Sequence, residues 1–171
     1  METWDAIRSR RNVRQFDDRP IAPEDLNRIL EAGRRSPSST NEQVWDFVVC
    51  VERDRLRALA KVWQGAWHVA TSAATIALVA PVEPNPATGG FLLYDLGQAT
   101  MSVMIAAADL GIGSAHAAVL DQALAREILG FPEDRRCWVM IALGYPGDRP
   151  LRPILDPKRR PFDDVVHRER W

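Results

Sequence analysis

The sequence predicts a single domain in which helices and strands are mixed. Three observations carry this. The 171 residues sit close to the roughly 150 of one domain, enough to bury about 70% of the unfolded surface without staples. Three short apolar runs, at 45–51, 73–82 and 136–143, read as strands. Two longer segments, 23–33 and 91–110, carry helical patterns instead.

Taken in order, residues 3–10 form a short helix with Thr3 as its N-cap, running into Arg8, Arg10, Arg11 and Arg14. Pro23 at a first helical position, acidic Glu24 and Asp25 behind it, and apolar Leu26, Ile29, Leu30 and Ala32 define an amphipathic helix ending near Gly33. Pro37 marks the stop, and residues 36–43 are loop chemistry. The 45–51 strand follows, then a helix over 53–63 on the spacing of Leu56, Leu59, Ala60 and Trp63.

The 73–82 run is apolar nearly throughout, as in a strand buried on both faces, and a Pro/Gly loop follows it. The helix at 91–110 is apolar nearly all round, which suits the middle of a domain or a dimer interface. Residues 111–114 terminate it. Asp121 caps a short helix to Leu129, 136–143 is the third strand, and 144–147 turns out of it. The tail from 151 is extended and rich in Pro and Arg, and Val165, Val166 and Trp171 are apolar anchors that need something to pack on.

Composition excludes several classes. With 46% hydrophobic and 26% charged residues the chain is not disordered, collagenous or a coiled coil. A net charge of −1, from 22 basic and 23 acidic residues, gives no reason to expect nucleic acid or an anionic membrane as partner. Cys50 and Cys137 lie in separate apolar runs and read as buried, reduced thiols. His68, His116 and His167 make no metal-ligand spacing. The first residues lack a signal-peptide pattern and no run reaches about 18 apolar residues, so a cytoplasmic protein is expected.

Three polar constellations stand out. Arg10, Arg11 and Arg14, with Asn12 between them, suit a phosphomonoester, or else a solvated basic turn paired with Asp17 and Asp18. Lys158, Arg159 and Arg160 form a second basic run that suits the same dianion or a charged surface tail. Ser38, Ser39, Asn41 and Gln43 supply uncharged donors and acceptors fitting the polar edge of a heterocycle, and fit loop and capping roles equally. GxSxG, GxGxxG and GxxxxGK[ST] motifs are all absent.

Residues 10–16 (RRNVRQF) and 37–49 (PSSTNEQVWDFVV), followed by 95–99, 106–113, 143–146 and 159–162, resemble, in order and over almost the whole chain, the flavin-dependent nitroreductase family. The resemblance implies an α+β fold with a mainly antiparallel sheet flanked by helices. It also implies an intertwined homodimer with FMN at the interface, in which the arm at about 151–171 packs on the partner subunit. Carried over, Arg10, Arg11, Asn12, Arg14, Lys158, Arg159 and Arg160 correspond to contacts to the FMN phosphate and pyrimidine edge. Ser38, Ser39 and Asn41 correspond to contacts made from the other subunit to the ribityl chain and ring, Gln43 to a further polar contact, Pro37 to a cofactor-binding position, and Ala117 and Ala118 to backbone N–H groups facing the flavin ring. No side chain need act as acid or base, because the chemistry belongs to the cofactor.

The implied activity is hydride transfer from NAD(P)H to FMN and on to a small-molecule electron acceptor, a flat electrophile such as a nitroaromatic or quinone, with ping-pong kinetics. A specialised dehydrogenase or flavin-consuming enzyme, a flavin-storage protein, and a deazaflavin in place of FMN are alternatives. The chain departs from the family pattern at Asn12 (commonly Ser), Val44 (Pro), Met101 and Ser102 (often Gln-Asn) and His116 (commonly Trp), and its 82–91 spacer is short.

Overall fold

A computed structural model describes residues 1–82 and 89–171. The expected Pro/Gly loop and most of the short 82–91 spacer lie outside the described residues. Five helices are described, α1 (Thr3–Ser9), α2 (Pro23–Arg34), α3 (Arg53–Leu59), α4 (Leu92–Asp109) and α5 (Gln122–Leu129), with four strands, β1 (Asp46–Cys50), β2 (Ala74–Pro81), β3 (Gly113–Ala117) and β4 (Arg135–Gly144). The strands form one antiparallel sheet in the order β1-β2-β4-β3, so the fold is α+β.

Alternating residues of the central strands feed two cores, as the two-residue period of a strand requires. Ile76, Leu78, Ile141 and Leu143 face α2 and α4, meeting Ile29, Leu96 and Val103. Ala77, Val79, Met140 and Ala142 face the other way, toward Leu56 and Leu59 of α3, Val69, and Ala125 of α5. Covering both faces is what makes β2 apolar along its length. Between Leu78 and Val79 the register slips: Leu78 pairs with Val139 and Val79 with Cys137. Trp138 is therefore the extra residue of a bulge, and its indole N–H donates to the Pro81 carbonyl at 3.3 Å.

Helix boundaries follow local chemistry with informative exceptions. Asp121 caps α5, accepting the Leu124 N–H at 2.9 Å, and Gly130 closes it in the left-handed region at φ 74°. Thr3 is not the cap of α1, since the flanking residue is Glu2 and no side chain caps that end. Gly33 does not end α2, which continues through Arg34. Its role is proximity, since a Cβ there would lie 2.8 Å from Val103 Cγ2 on α4.

The helix expected over 53–63 stops at Leu59 and tightens into a 3-10 turn, followed by a second 3-10 segment over Gln64–Thr71. β3 is a strand where only a helix terminator was expected. Its composition, Gly-Ser-Ala-His-Ala, has little strand propensity, and pairing with β4 along its full length supplies the order.

Candidate functional site

The first basic motif is positioned by the sheet edge. After α1 ends, Asn12 bridges Ser114 in a parallel sense and the Val13 N–H donates to the Ser114 carbonyl at 3.0 Å. Farther on, Phe16 bridges Pro146, Asp17 N–H donates to Tyr145 O at 3.0 Å and Gly147 N–H to Gln15 O at 2.9 Å. The motif thus lies along β3 and the exit of β4. Val13 is fully buried against Gly113, where a Cβ would come within 2.6 Å of Val13 Cγ2. With Val13 turned inward, its neighbours Asn12 and Arg14 are exposed, as alternation in an extended segment demands.

The arginines differ in their partners. Arg11 donates to Asp148 Oδ1 at 2.7 Å and to the Arg149 carbonyl at 2.6 Å, which holds the Asp148 carboxyl below the usual carboxylate range. No ion pair among the described residues joins the cluster to Asp17 or Asp18. Asp17 instead accepts the Arg19 N–H at 3.0 Å. Arg10 makes a long contact of 3.4 Å to Asn12 Oδ1.

The chain's two ends meet here. The tail crosses α1, with the Ile154 N–H donating to Arg8 O at 3.0 Å, and Arg159 joins Arg8 and Arg10 around a cavity of about 480 Å³ whose apolar lining includes Trp4, Ile7 and Met101. Lys158 and Arg160 do not line it; Arg160 donates to the Asp164 carbonyl at 2.7 Å. A neighbouring cavity of about 540 Å³ shares Ile154 and Leu155 and is rimmed by Arg11, Arg149 and Arg152.

The second constellation is a strained loop set against α4. Thr40, Asn41 and Gln43 have φ of 49°, 58° and 50°, each costing on the order of 1–3 kcal/mol for a non-glycine residue. The Gln43 N–H donates to Ser38 Oγ at 2.9 Å and the Asn41 N–H to Ser38 O at 3.0 Å. The Ser39 N–H reaches across to Asp95 Oδ2 at 2.9 Å, and the Ser36 hydroxyl donates to Ser102 Oγ at 2.8 Å. Asp95, buried to 3% exposure, is a residue that sequence reasoning missed; a carboxylate inside an apolar helical run was the available signal. Among the described residues no hydrogen bond joins Ser38, Ser39, Asn41 or Gln43 to Arg10, Arg11 or Arg14.

Ala117, buried, ends β3 three residues beyond Ser114, about 10 Å by strand rise, and Ala118 beyond it is exposed. The motif that begins at Arg10 and this pair therefore share one sheet edge. On the α4 face, His116 lines a cavity of about 250 Å³ with Leu93, Leu96 and Trp138.

On the opposite face His68 is buried. Its ring nitrogens lie beside the backbone of Gly65 and Ala115 without completing a hydrogen bond, and burial, then the nearby Arg14 charge, push its pKa down. Cys50 and Cys137 are free and buried; burial raises both thiols, Cys137 to about 12. No metal-binding cluster occurs among the described residues, and no described helix is long and apolar enough to cross a membrane.

Sequence and fold point to the same class. Residues 7–90 match the model of the nitroreductase family. A protein of Archaeoglobus fulgidus, named for NADH dehydrogenase and NAD(P)H nitroreductase activity, is 32% identical over 96% of each chain. An NADPH-flavin oxidoreductase of Vibrio harveyi is 25% identical over 99% of this chain and 74% of its own. The chain belongs to the nitroreductase family. The fold agrees: an FMN-dependent nitroreductase of Clostridium difficile superposes with a TM-score of 0.85 over 97% of this chain and 98% of its own, at 21% identity.

Proposed function

We propose that this protein is an FMN-dependent oxidoreductase that takes hydride from NAD(P)H and passes it to a flat electrophile such as a nitroaromatic or quinone. The observation that carries the reading is the cavity where Arg10, from one end of the chain, and Arg159, from the other, stand over Trp4, Ile7 and Met101. Cations over an apolar lining suit an amphiphile with a phosphate at one end and a flat ring at the other. The names of the Archaeoglobus, Vibrio and Clostridium proteins support the donor and the cofactor.

When bound, FMN supplies the hydride chemistry. This chain's residues bind and orient it. Arg10, Asn12 and Arg14, with Lys158, Arg159 and Arg160 drawn in from the tail, hold the phosphate and pyrimidine edge. Arg11, fixed by Asp148, forms one wall. The backbone at Ala117 and Ala118 faces the ring. Pro37, Ser38, Ser39, Asn41 and Gln43 reach the site from a second copy of the chain, which accords with the hydrogen bonds of Ser38, Ser39, Asn41 and Gln43 going elsewhere than to the cluster. Donor and acceptor use one opening in turn, giving ping-pong kinetics.

The working unit is a homodimer of one-domain chains. Leu93 and Tyr94 on α4 are about two-thirds exposed, Leu155 is 87% exposed and Trp171 99%, more apolar surface than scattered residues explain. The 151–171 arm packs on the partner subunit. Free buried thiols accord with a cytoplasmic setting.

The test is an absorbance spectrum of protein purified with FMN, followed by anaerobic NADPH. The wild type should carry flavin that NADPH bleaches. The Arg10→Ala/Arg14→Ala double variant should bind FMN roughly a hundredfold or more weakly, from two lost charge-assisted contacts. Full FMN stoichiometry in that variant, or bands that NADPH leaves unchanged, overturns the reading.

A further inference from the structure

α4 meets the loop before β1 through a stripe of three polar residues, Asp95, Gln98 and Ser102, spaced so that they share one helix face. Each touches the 36–39 stretch. Ser102 Oγ accepts from the Ser36 hydroxyl and donates to the Gln98 carbonyl at 3.0 Å. Gln98 Nε2 contacts Pro37 O at 3.5 Å and Asp95 Oδ1 at 3.4 Å. Asp95 Oδ2 accepts the Ser39 N–H at 2.9 Å, a contact that crosses from α4 to a backbone N–H of this loop.

Asp95 is an unusual residue at that position. It is buried on a helix that otherwise faces the core with apolar side chains, and no Lys or Arg among the described residues is within ion-pairing distance. Removing a carboxylate from water without a cation is unfavourable unless directed N–H groups take over its hydration. Here the Ser39 N–H at 2.9 Å and, at 3.4 Å, the Gln98 side-chain amide do so, at a place in the first turn of α4 where the helix dipole favours an anion. The loop on the other side is equally dependent. Three non-glycine residues in four, Thr40, Asn41 and Gln43, occupy the left-handed region, and such backbone persists only where its surroundings hold it.

We infer that Asp95 is the positioning residue for the 38–43 loop: through the Ser39 N–H it fixes the strained turn that presents Ser38, Ser39, Asn41 and Gln43 to the cofactor. The inference rests on the reading of that loop as an FMN-binding element. Asp95 touches no ligand itself, and its effect passes through one backbone hydrogen bond. Gln98 and Ser102 steady the entry to the turn at Pro37 and Ser36.

The experiment compares wild type with Asp95→Ala and Asp95→Asn, reading FMN affinity from flavin fluorescence quenching and loop order from amide hydrogen exchange across 36–43. Asp95→Ala should weaken FMN about tenfold or more, the usual worth of a hydrogen bond to a charged group, and should speed exchange at Ser39 and beyond it through Gln43. Asp95→Asn keeps an acceptor oxygen and should recover part of both signals, in a protein whose α4 and sheet amides exchange as in wild type. Unchanged exchange in the loop of Asp95→Ala overturns the inference. So does faster exchange with unchanged FMN affinity in a wild type that binds FMN well. A wild type that takes up no FMN overturns the underlying reading instead, and with it this one.

Discussion

The centre of the sheet and the C-terminal tail both carry large apolar side chains, and these meet opposite fates. In β2 every residue from Ala74 to Ala80 is buried. In the tail, Leu155, Phe162, Val165, Val166 and Trp171 are all exposed. The tail is the more polar of the two, rich in Pro and Arg, but the surroundings differ as well. β2 is closed in by a strand on each edge and a helical layer on each face, so each apolar group finds partners within the chain. The tail runs along the surface by α1, through the Ile154–Arg8 hydrogen bond and the cavities beside it. The chain's interior is complete without its last twenty residues, and the apolar side chains there are available for a second surface.

This contrast can be broken by mutation. Ile76→Ala, at a fully buried β2 position, should destabilise by about 2–5 kcal/mol in urea unfolding. Leu155→Ala, at 87% exposure within one chain, should leave the chain's own core within about 0.5 kcal/mol and act instead on the dimer, as a loss that depends on protein concentration. Comparable losses from the two at every protein concentration would mean that the tail belongs to the core of its own chain.

The sheet edge lies between these extremes. Gly113→Ala places a methyl against Val13, and overpacking of that kind costs about 1–3 kcal/mol. Because Val13 anchors the segment bearing Arg10 and Arg14, the variant should also bind FMN more weakly, a link that titration of FMN with the purified variant would check. An unaltered affinity would separate the edge from the site.

The smallest expected effect concerns His68. Its pKa is lower folded than unfolded, so the unfolded chain binds the extra proton first. The stability tied to the neutral ring is present above the ordinary histidine pKa of about 6.5 and is lost as pH falls through the folded value. Melting temperatures measured from pH 8 down to pH 5 should fall more steeply for wild type than for His68→Gln, and parallel curves would remove His68 as the cause.

Legibility in the sequence followed locality. β1, β2 and β4 announced themselves as apolar runs, α2 by Pro23, Glu24 and Asp25, and α5 by Asp121, because the deciding chemistry lies within a few residues. β3 did not, since Gly113, Ser114 and two alanines become a strand only by pairing with β4. Gly33 looked like a terminator and proved to be a contact with Val103, which no local pattern encodes. In the candidate site, the motif at Arg10 could be read directly, while the partner of Arg11 could not: Asp148 lies 137 residues away, and the nearer Asp17 and Asp18 are not used. The joining of Arg10 and Arg159 in one cavity likewise depends on the path of the tail across α1. Asp95, although within the 95–99 stretch, is not among the expected site residues, because it acts through a hydrogen bond to a backbone group 56 residues earlier.

The pairing of Asn12 with Ser114 also sets a timetable for the newborn chain. Translation proceeds at about 5–20 residues per second, so the roughly one hundred residues between these two take about 5–20 s to make. Throughout that interval the arginine-rich motif has been made and has no β3 to lie against. The segment made earlier finds its place only when the later one arrives, and the arginine-rich motif waits for the sheet that holds it.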